Sequence, residues 1–196
     1  MTNIGDFAFT RCLQLTAITV DALNSSYCSV EGACFNKNQT TLIQYPAGKI
    51  GSVYRVPSSV TSVASYAFHS CNSLMSIYFQ GNAPDVGLEI FYWVDNAIVY
   101  YLPGRTGWGP TFGGRPTVLW TPQIQTASAS FGVLTNHFGF TITGISGLTV
   151  VVEASTNLLN PVWFPLQTNT LNAGSSYFSD PAWTNYSGRF YRFRSP

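Results

Sequence analysis

The sequence predicts a mainly β chain in two parts, a short repeat solenoid followed by a small antiparallel β-sandwich. Three observations predict it. The phrase "DFAFTRCLQLTAI" at Asp6–Ile18 returns as "SYAFHSCNSLMSI" at Ser65–Ile77. Beyond residue 136, short alternating runs are separated by Gly, Asn, Pro and Asp, as in strands joined by tight turns. Charged residues are only 9% of the 196, against roughly 25% in an ordinary soluble domain. Ser, Thr, Asn and Gly stand in for the missing charges, and 45% hydrophobic residues supply a packed core.

The repeat justifies the first part. Aligning the two copies matches Ala8 with Ala67, Phe9 with Phe68, Cys12 with Cys71, Leu15 with Leu74 and Ile18 with Ile77. The identities are apolar, while the residues between them vary, as Thr10/His69 and Arg11/Ser70 do. Stacked units behave this way, because packing fixes inward positions and leaves outward ones free. Phe9, Cys12, Leu15, Ile18, Phe68, Cys71, Leu74 and Ile77 are therefore the expected repeat core. Asp6 is placed in the repeat turn, where Asp bonds to nearby backbone. A third, decayed copy starts near Phe91, and "NAIVYYLPG" supplies its strand. Between the copies, "TTLIQYPAG" and "SVYRVPSSV" read as short β runs ended by Pro.

The pattern V-x-x-[IV]-x-x-[FY]-A-F-x-x-C-x-x-L-x-x-I, complete from Val60 to Ile77 and partial from Ile4 to Ile18, resembles the BspA-like leucine-rich repeats of bacterial surface proteins. "SSYCSVEGACFNKNQTTLIQYPAG" is similar to the hairpin insert between such repeats. "IYFQGNAP" and "VYYLPGRTGWGPTFGGRPTVLW" resemble the segment that closes the array. The resemblance spans about residues 2–122. It implies a leucine-rich-repeat solenoid on a secreted or cell-surface bacterial protein, with adhesion or protein binding as its role. The five-glycine stretch Gly104–Gly114 lacks the spacing of a dinucleotide loop and reads as a cap, with Trp108 and Phe112 over the last rung.

Three regions follow: a solenoid with hairpin insert and capping loop at 1–122, a polar linker at 123–136, and a small immunoglobulin- or fibronectin-like sandwich at 137–196. The sandwich strands are "HFGFTITG", "GLTVVVEAS", "VWFPLQTN", "SSYFSD" and "RFYRFR". "TVVVEASTNLLNPVWFPLQTNTL" with "YFSDPAWTNYSGRFYRFRSP" resembles a C-terminal module of secreted bacterial proteins. Arg192 and Arg194, two apart on a strand, share a face and read as a solvated surface.

Net charge is +1, with no basic stripe to displace counterions, so nucleic acid is excluded as a partner. No apolar run reaches the ~18–20 residues of a membrane helix. The N-terminus lacks a secretory signal and opens on a repeat, as expected of a piece of a longer chain. Neither cysteine spacing nor a nearby histidine builds a metal site, and no cofactor is expected.

Cys12 and Cys71 are expected buried and too far apart to bond. Cys28 and Cys34 flank a hairpin turn near Glu31. They are either a cross-strand disulfide or two packed thiols. His69 and His137 read as surface residues outside any triad. The three Asn-x-Ser/Thr sequons, at Asn24, Asn38 and Asn185, read as structural. Of the eight carboxylates, Asp85, Glu89 and Asp95 are the set to watch, since a glycosidase needs two facing a cleft. Aromatic residues near the last repeat make the candidate binding patch: Tyr78, Tyr92, Trp93 and Tyr100, with Tyr101 inside. The expected function is therefore recognition of a protein or glycan ligand by a monomer, with no chemical step. The alternative is a spacer within a larger secreted carbohydrate-active enzyme.

Overall fold

The computed structural model describes residues 2–5 and 7–196. Asp6 lies outside the described residues. In chain order the strands are β1 (Tyr27–Val30), β2 (Ala33–Asn36), β3 (Thr41–Gln44), β4 (Val53–Val56), β5 (Ser62–Val63), β6 (Ser76–Phe79), β7 (Asp85–Val86), β8 (Ile98–Tyr101) and β9 (Thr111–Phe112). They continue as β10 (Arg115–Leu119), β11 (Gln123–Gln125), β12 (Gly132–Leu134), β13 (His137–Thr143), β14 (Thr149–Ser155), β15 (Phe164–Thr170), β16 (Ser175–Asp180) and β17 (Phe190–Arg194). A 3₁₀ turn covers Trp183–Asn185. No helix among the described residues is long and apolar enough to cross a membrane.

The chain divides into two compact units, Met1–Leu119 and Trp120–Pro196. The first is a solenoid with two walls. One wall stacks β3, β5 and β7 in parallel, extended antiparallel by the β1–β2 hairpin. The other stacks β4, β6, β8 and β10 in parallel, with β9 antiparallel at the end. Parallel strands need crossovers, and the repeat phrase provides them. Leu42 and Val63 from one wall meet Tyr54, Val56, Ile77, Phe79 and Val99 from the other, all buried. Phe68, Cys71, Leu74 and Ile77 are fully buried. Phe68 stacks on Phe91 of the next rung at 5.0 Å between ring centroids.

The crossover turns share a backbone signature. Phe7, Tyr66 and Glu89 have φ of 66°, 60° and 47°, and Arg11, Ser70 and Trp93 have 61°, 58° and 58°. Left-handed backbone costs a non-glycine residue about 1–2 kcal/mol. Rung-to-rung hydrogen bonds over-determine it: the amides of Tyr66, Phe68 and Ser70 donate to the carbonyls of Leu88, Ile90 and Tyr92. The third copy is thus a full rung in backbone geometry.

The first copy departs from expectation. Cys12 is exposed, and Phe9, Leu15 and Ile18 are only half-buried. Its turn stacks on one side, Phe7 against Tyr66 at 4.4 Å. No described rung lies on its other side, so its core is only half closed. Gly48 permits the close approach here, because a Cβ would stand 2.5 Å from the Leu13 carbonyl oxygen.

The hairpin also corrects the cysteine pairing. Glu31 (φ 50°) and Gly32 (φ 81°) form a two-residue turn of the mirror type that matches strand twist. That turn sets Val30 opposite Ala33, Cys28 opposite Phe35 and Ser29 opposite Cys34. Cys28 and Cys34 therefore lie on opposite faces, and all four cysteines are free thiols. Cys28 packs toward the solenoid core, while Cys34 meets the N-terminal segment beside Phe9 and Ile18. Trp108 and Phe112 pack on Phe79 at 5.2 and 5.0 Å, and Trp108 stacks on Tyr101 at 5.3 Å.

In the second unit, β13 pairs with β11, β12 and β16, while β14 pairs with β15 and β17. The segment 123–136 expected as a linker contributes β11 and β12, whose backbone groups are taken up by β13. The two antiparallel sheets meet through rings: Phe138 stacks on Tyr191 at 5.0 Å, and Phe140 lies 6.1 Å from Phe193. Arg192 and Arg194 are not a merely solvated face. They clamp buried Glu153 with contacts of 2.7 and 2.6 Å, and Arg192 also covers Trp163 at 4.4 Å. Burial alone would raise the Glu153 carboxyl, but hydrogen bonds from Arg194 and Arg192 outweigh it and hold it below its ordinary value.

Candidate recognition surface

The crossover turns bring side chains from three rungs to one surface. Phe7, Arg11, Tyr66, His69, Glu89, Tyr92 and Trp93 line a depression of about 280 Å³. Five of them sit at left-handed positions of the crossover turns. Phe7 is 57% exposed, Trp93 51% and Tyr92 40%. Tyr92 and Trp93 stack at 5.1 Å, and Tyr66 meets Tyr92 edge-on at 6.4 Å. The Arg11 guanidinium stands 5.9 Å from the Trp93 ring centre, within range of a cation–π contact.

His69 forms the floor. It is buried, stacked on Tyr92 at 5.5 Å and beside Trp93 at 5.4 Å, contrary to the surface position expected for it. Its Nδ1 shares a hydrogen bond of 2.9 Å with the hydroxyl of Ser70, which is also buried. The rings of the next rung are large enough to cover positions that variability marks as outward. Desolvation lowers the imidazole's pKa, the nearby Arg11 charge lowers it further, and a backbone hydrogen bond opposes both.

Of the four aromatics expected to form the patch, the structure brings Tyr92 and Trp93 together and removes the other two. Tyr78 and Tyr100 are buried, stacked on each other at 4.8 Å across β6 and β8. Alternation puts them on the face of the sheet opposite Ile77 and Phe79, but that face is not solvent. Burial raises the Tyr100 phenol, with a hydrogen bond to Ser76 opposing. Sequence reasoning missed Phe7, Tyr66 and Arg11. The [FY] position before Ala-Phe was the available signal, since it recurs without being part of the buried set.

The carboxylates do not converge. Asp85 borders a shallow cavity with Ser58 and Asn82, Glu89 borders the aromatic depression, and Asp95 pairs with Arg115 at 3.7 Å. Among the described residues no cluster of His, Cys, Asp and Glu could hold a metal. His137 accepts or donates one bond of 3.1 Å with the Tyr177 hydroxyl. The surface can stack, donate and accept at its rim.

Residues 1–93 match the family model described as BspA type leucine rich repeat region, in six copies. That exceeds the two clear copies and one decayed copy legible by eye. No curated protein matches the chain. Two solved structures are similar to part of it. The pneumococcal vaccine antigen PcpA is 27% identical over 43% of this chain and 21% of its own, with a TM-score of 0.41. A leucine-rich repeat protein from Eubacterium ventriosum is 27% identical over 54% of this chain and 28% of its own, with a TM-score of 0.44. The matches thus span about a quarter of those chains. Residues 1–93, just under half of the chain, are thus similar to BspA-type leucine-rich repeats.

Proposed function

We propose that the chain is a non-enzymatic recognition module of a secreted or cell-surface bacterial protein, and that it binds a protein or glycan ligand through the crossover-turn surface. One observation carries the reading. Three rungs cooperate to hold Phe7, Tyr92 and Trp93 exposed on a pre-packed floor, with Arg11 and Glu89 at the rim. Large exposed rings on a rigid base make contact area at low entropic cost, and Trp, Tyr and Arg are the side chains that dominate binding energy. The match of residues 1–93 to BspA-type repeats supports a place on the cell surface.

Purified chain probed on protein and glycan arrays tests this. A ligand is expected, and Trp93→Ala should weaken it about thirtyfold, as truncation of a central aromatic anchor does. Ligand binding that survives both Trp93→Ala and Arg11→Ala would remove this surface from the reading. Silence on both arrays would favour a spacer within a larger secreted enzyme.

A further inference from the structure

Charge is unevenly distributed across the crossover-turn surface. Equivalent turn residues stack in columns, one from each rung. Phe7, Tyr66 and Glu89 make one column, and Arg11, Ser70 and Trp93 another, each at its own left-handed backbone position. The first two rungs meet where Phe7 packs on Tyr66 at 4.4 Å, and main-chain bonds tie the second rung to the third. Tyr92 lies between the columns, since its ring meets Tyr66 of one at 6.4 Å and Trp93 of the other at 5.1 Å. Glu89 and Arg11 thus occupy opposite margins of an aromatic surface. Both are exposed, and among the described residues neither forms an ion pair. The Arg11 guanidinium is held 5.9 Å from the Trp93 ring centre, so its charge is positioned with the rings.

Exposed rings gathered on one face mark an interaction site. The occupant that complements this one offers apolar contact area, with an acid facing Arg11 on one margin and a base facing Glu89 on the other. The surface itself answers that description. A two-fold axis in the contact plane, running along the columns, lays the Glu89 column of a second copy over the Arg11 column of the first, and the reverse. The same rotation brings Tyr92 of one copy toward Tyr92 of the other. A two-fold contact makes every favourable pair twice, so each dimer gains two Arg11–Glu89 pairs.

We propose that the crossover-turn surface pairs with the same surface of a second copy of this chain, Arg11 of each copy meeting Glu89 of the other across the Tyr92 and Trp93 rings. This names a protein partner for the surface, rests on its being a recognition surface, and departs from the monomer expected from the sequence. The contact is smaller than the ~20–30 residues a side of a standard interface, so the dimer is weak, with a dissociation constant of about 50 µM.

The test is sedimentation velocity of the full chain over about 5–200 µM, where the average mass should climb from monomer toward dimer. Arg11→Glu and Glu89→Arg each set like charges at both contacts and should weaken pairing about tenfold. An equimolar mixture of the two variants restores opposite charges at both contacts. It should dimerise as the native chain does, which a folding defect cannot mimic. Trp93→Ala should remove the dimer over the same range. A chain that stays monomeric throughout, a dimer untouched by Arg11→Glu or by Trp93→Ala, or a mixture no better than its components would overturn the proposal. A monomeric chain that still holds an array ligand through Trp93 would overturn the pairing alone and leave the recognition surface in place. A dimer and an array ligand both indifferent to Trp93→Ala and Arg11→Ala would remove the surface as well.

Discussion

His69 is a titratable group held inside a ring stack, and the consequence follows from its partners. The charged groups facing it are Arg11 and Glu89, with Tyr66 and Tyr92 as ring neighbours. Its pKa in the folded chain is lowered, chiefly by desolvation, from an ordinary value of about 6.5. Above that value both states are neutral, and the histidine stabilises the fold fully. As pH falls below about 6.5 the unfolded chain takes up the proton first, and that stability is lost. The urea midpoint of the solenoid should therefore drop between pH 7.5 and pH 5, and His69→Phe should flatten the drop. An unchanged slope in the variant would assign it elsewhere. Cysteine reactivity is a second residue-scale property. Burial pushes the Cys71 thiol up to about 12 and, with a contribution from Cys28, the Cys34 thiol up to about 11. Cys12 is exposed. Timed labelling of native protein with mass mapping should modify Cys12 first and leave Cys34 and Cys71 protected. Four thiols should titrate after denaturation without reductant.

At the scale of elements, the β1–β2 turn decides more than its two residues suggest. Gly32 has φ of 81°, and a Cβ there would stand 3.1 Å from the Ala17 side chain. Gly32→Ala should cost about 1–2 kcal/mol, read as a lower urea midpoint with native secondary structure retained. The same turn shows where reading by sequence stopped. Apolar alternation located the hairpin, but a one-residue change in turn length inverts facing partners, and "VEGA" does not announce which length is used. The five strands from His137 to Arg194 were legible because each is a short run bounded by turn residues. β11 and β12 were not, since "QIQ" and "GVL" are too short to alternate and gain their structure only from β13. In the solenoid, identity between copies located the buried set at Phe68, Cys71, Leu74 and Ile77. It could not place His69 or Tyr78, because variability and alternation specify a direction and not what lies in that direction.

For the whole molecule, the two units lose stability to acid through different groups. Burial would raise Glu153, but Arg194 and Arg192 hold it below its ordinary carboxylate value. Its contribution is therefore present above about 4.3 and lost as pH falls below that. The solenoid, through His69, yields earlier. Hydrogen exchange followed by mass spectrometry should show faster exchange in peptides from 41–119 near pH 5, and in peptides from 120–196 only below about pH 4. Simultaneous loss in both would contradict this separation. The left-handed positions of the crossover turns carry a consequence of another kind. Phe7, Tyr66 and Glu89 are chemically unrelated yet share one backbone shape, as do Arg11, Ser70 and Trp93. The turn is held by main-chain bonds that are blind to side-chain identity. Each added rung, ~4.8 Å further along the stack, therefore offers two more sockets into which any residue can be set. A lineage could lengthen or re-letter this surface without disturbing the rungs beneath, changing what is recognised while leaving how the chain folds untouched.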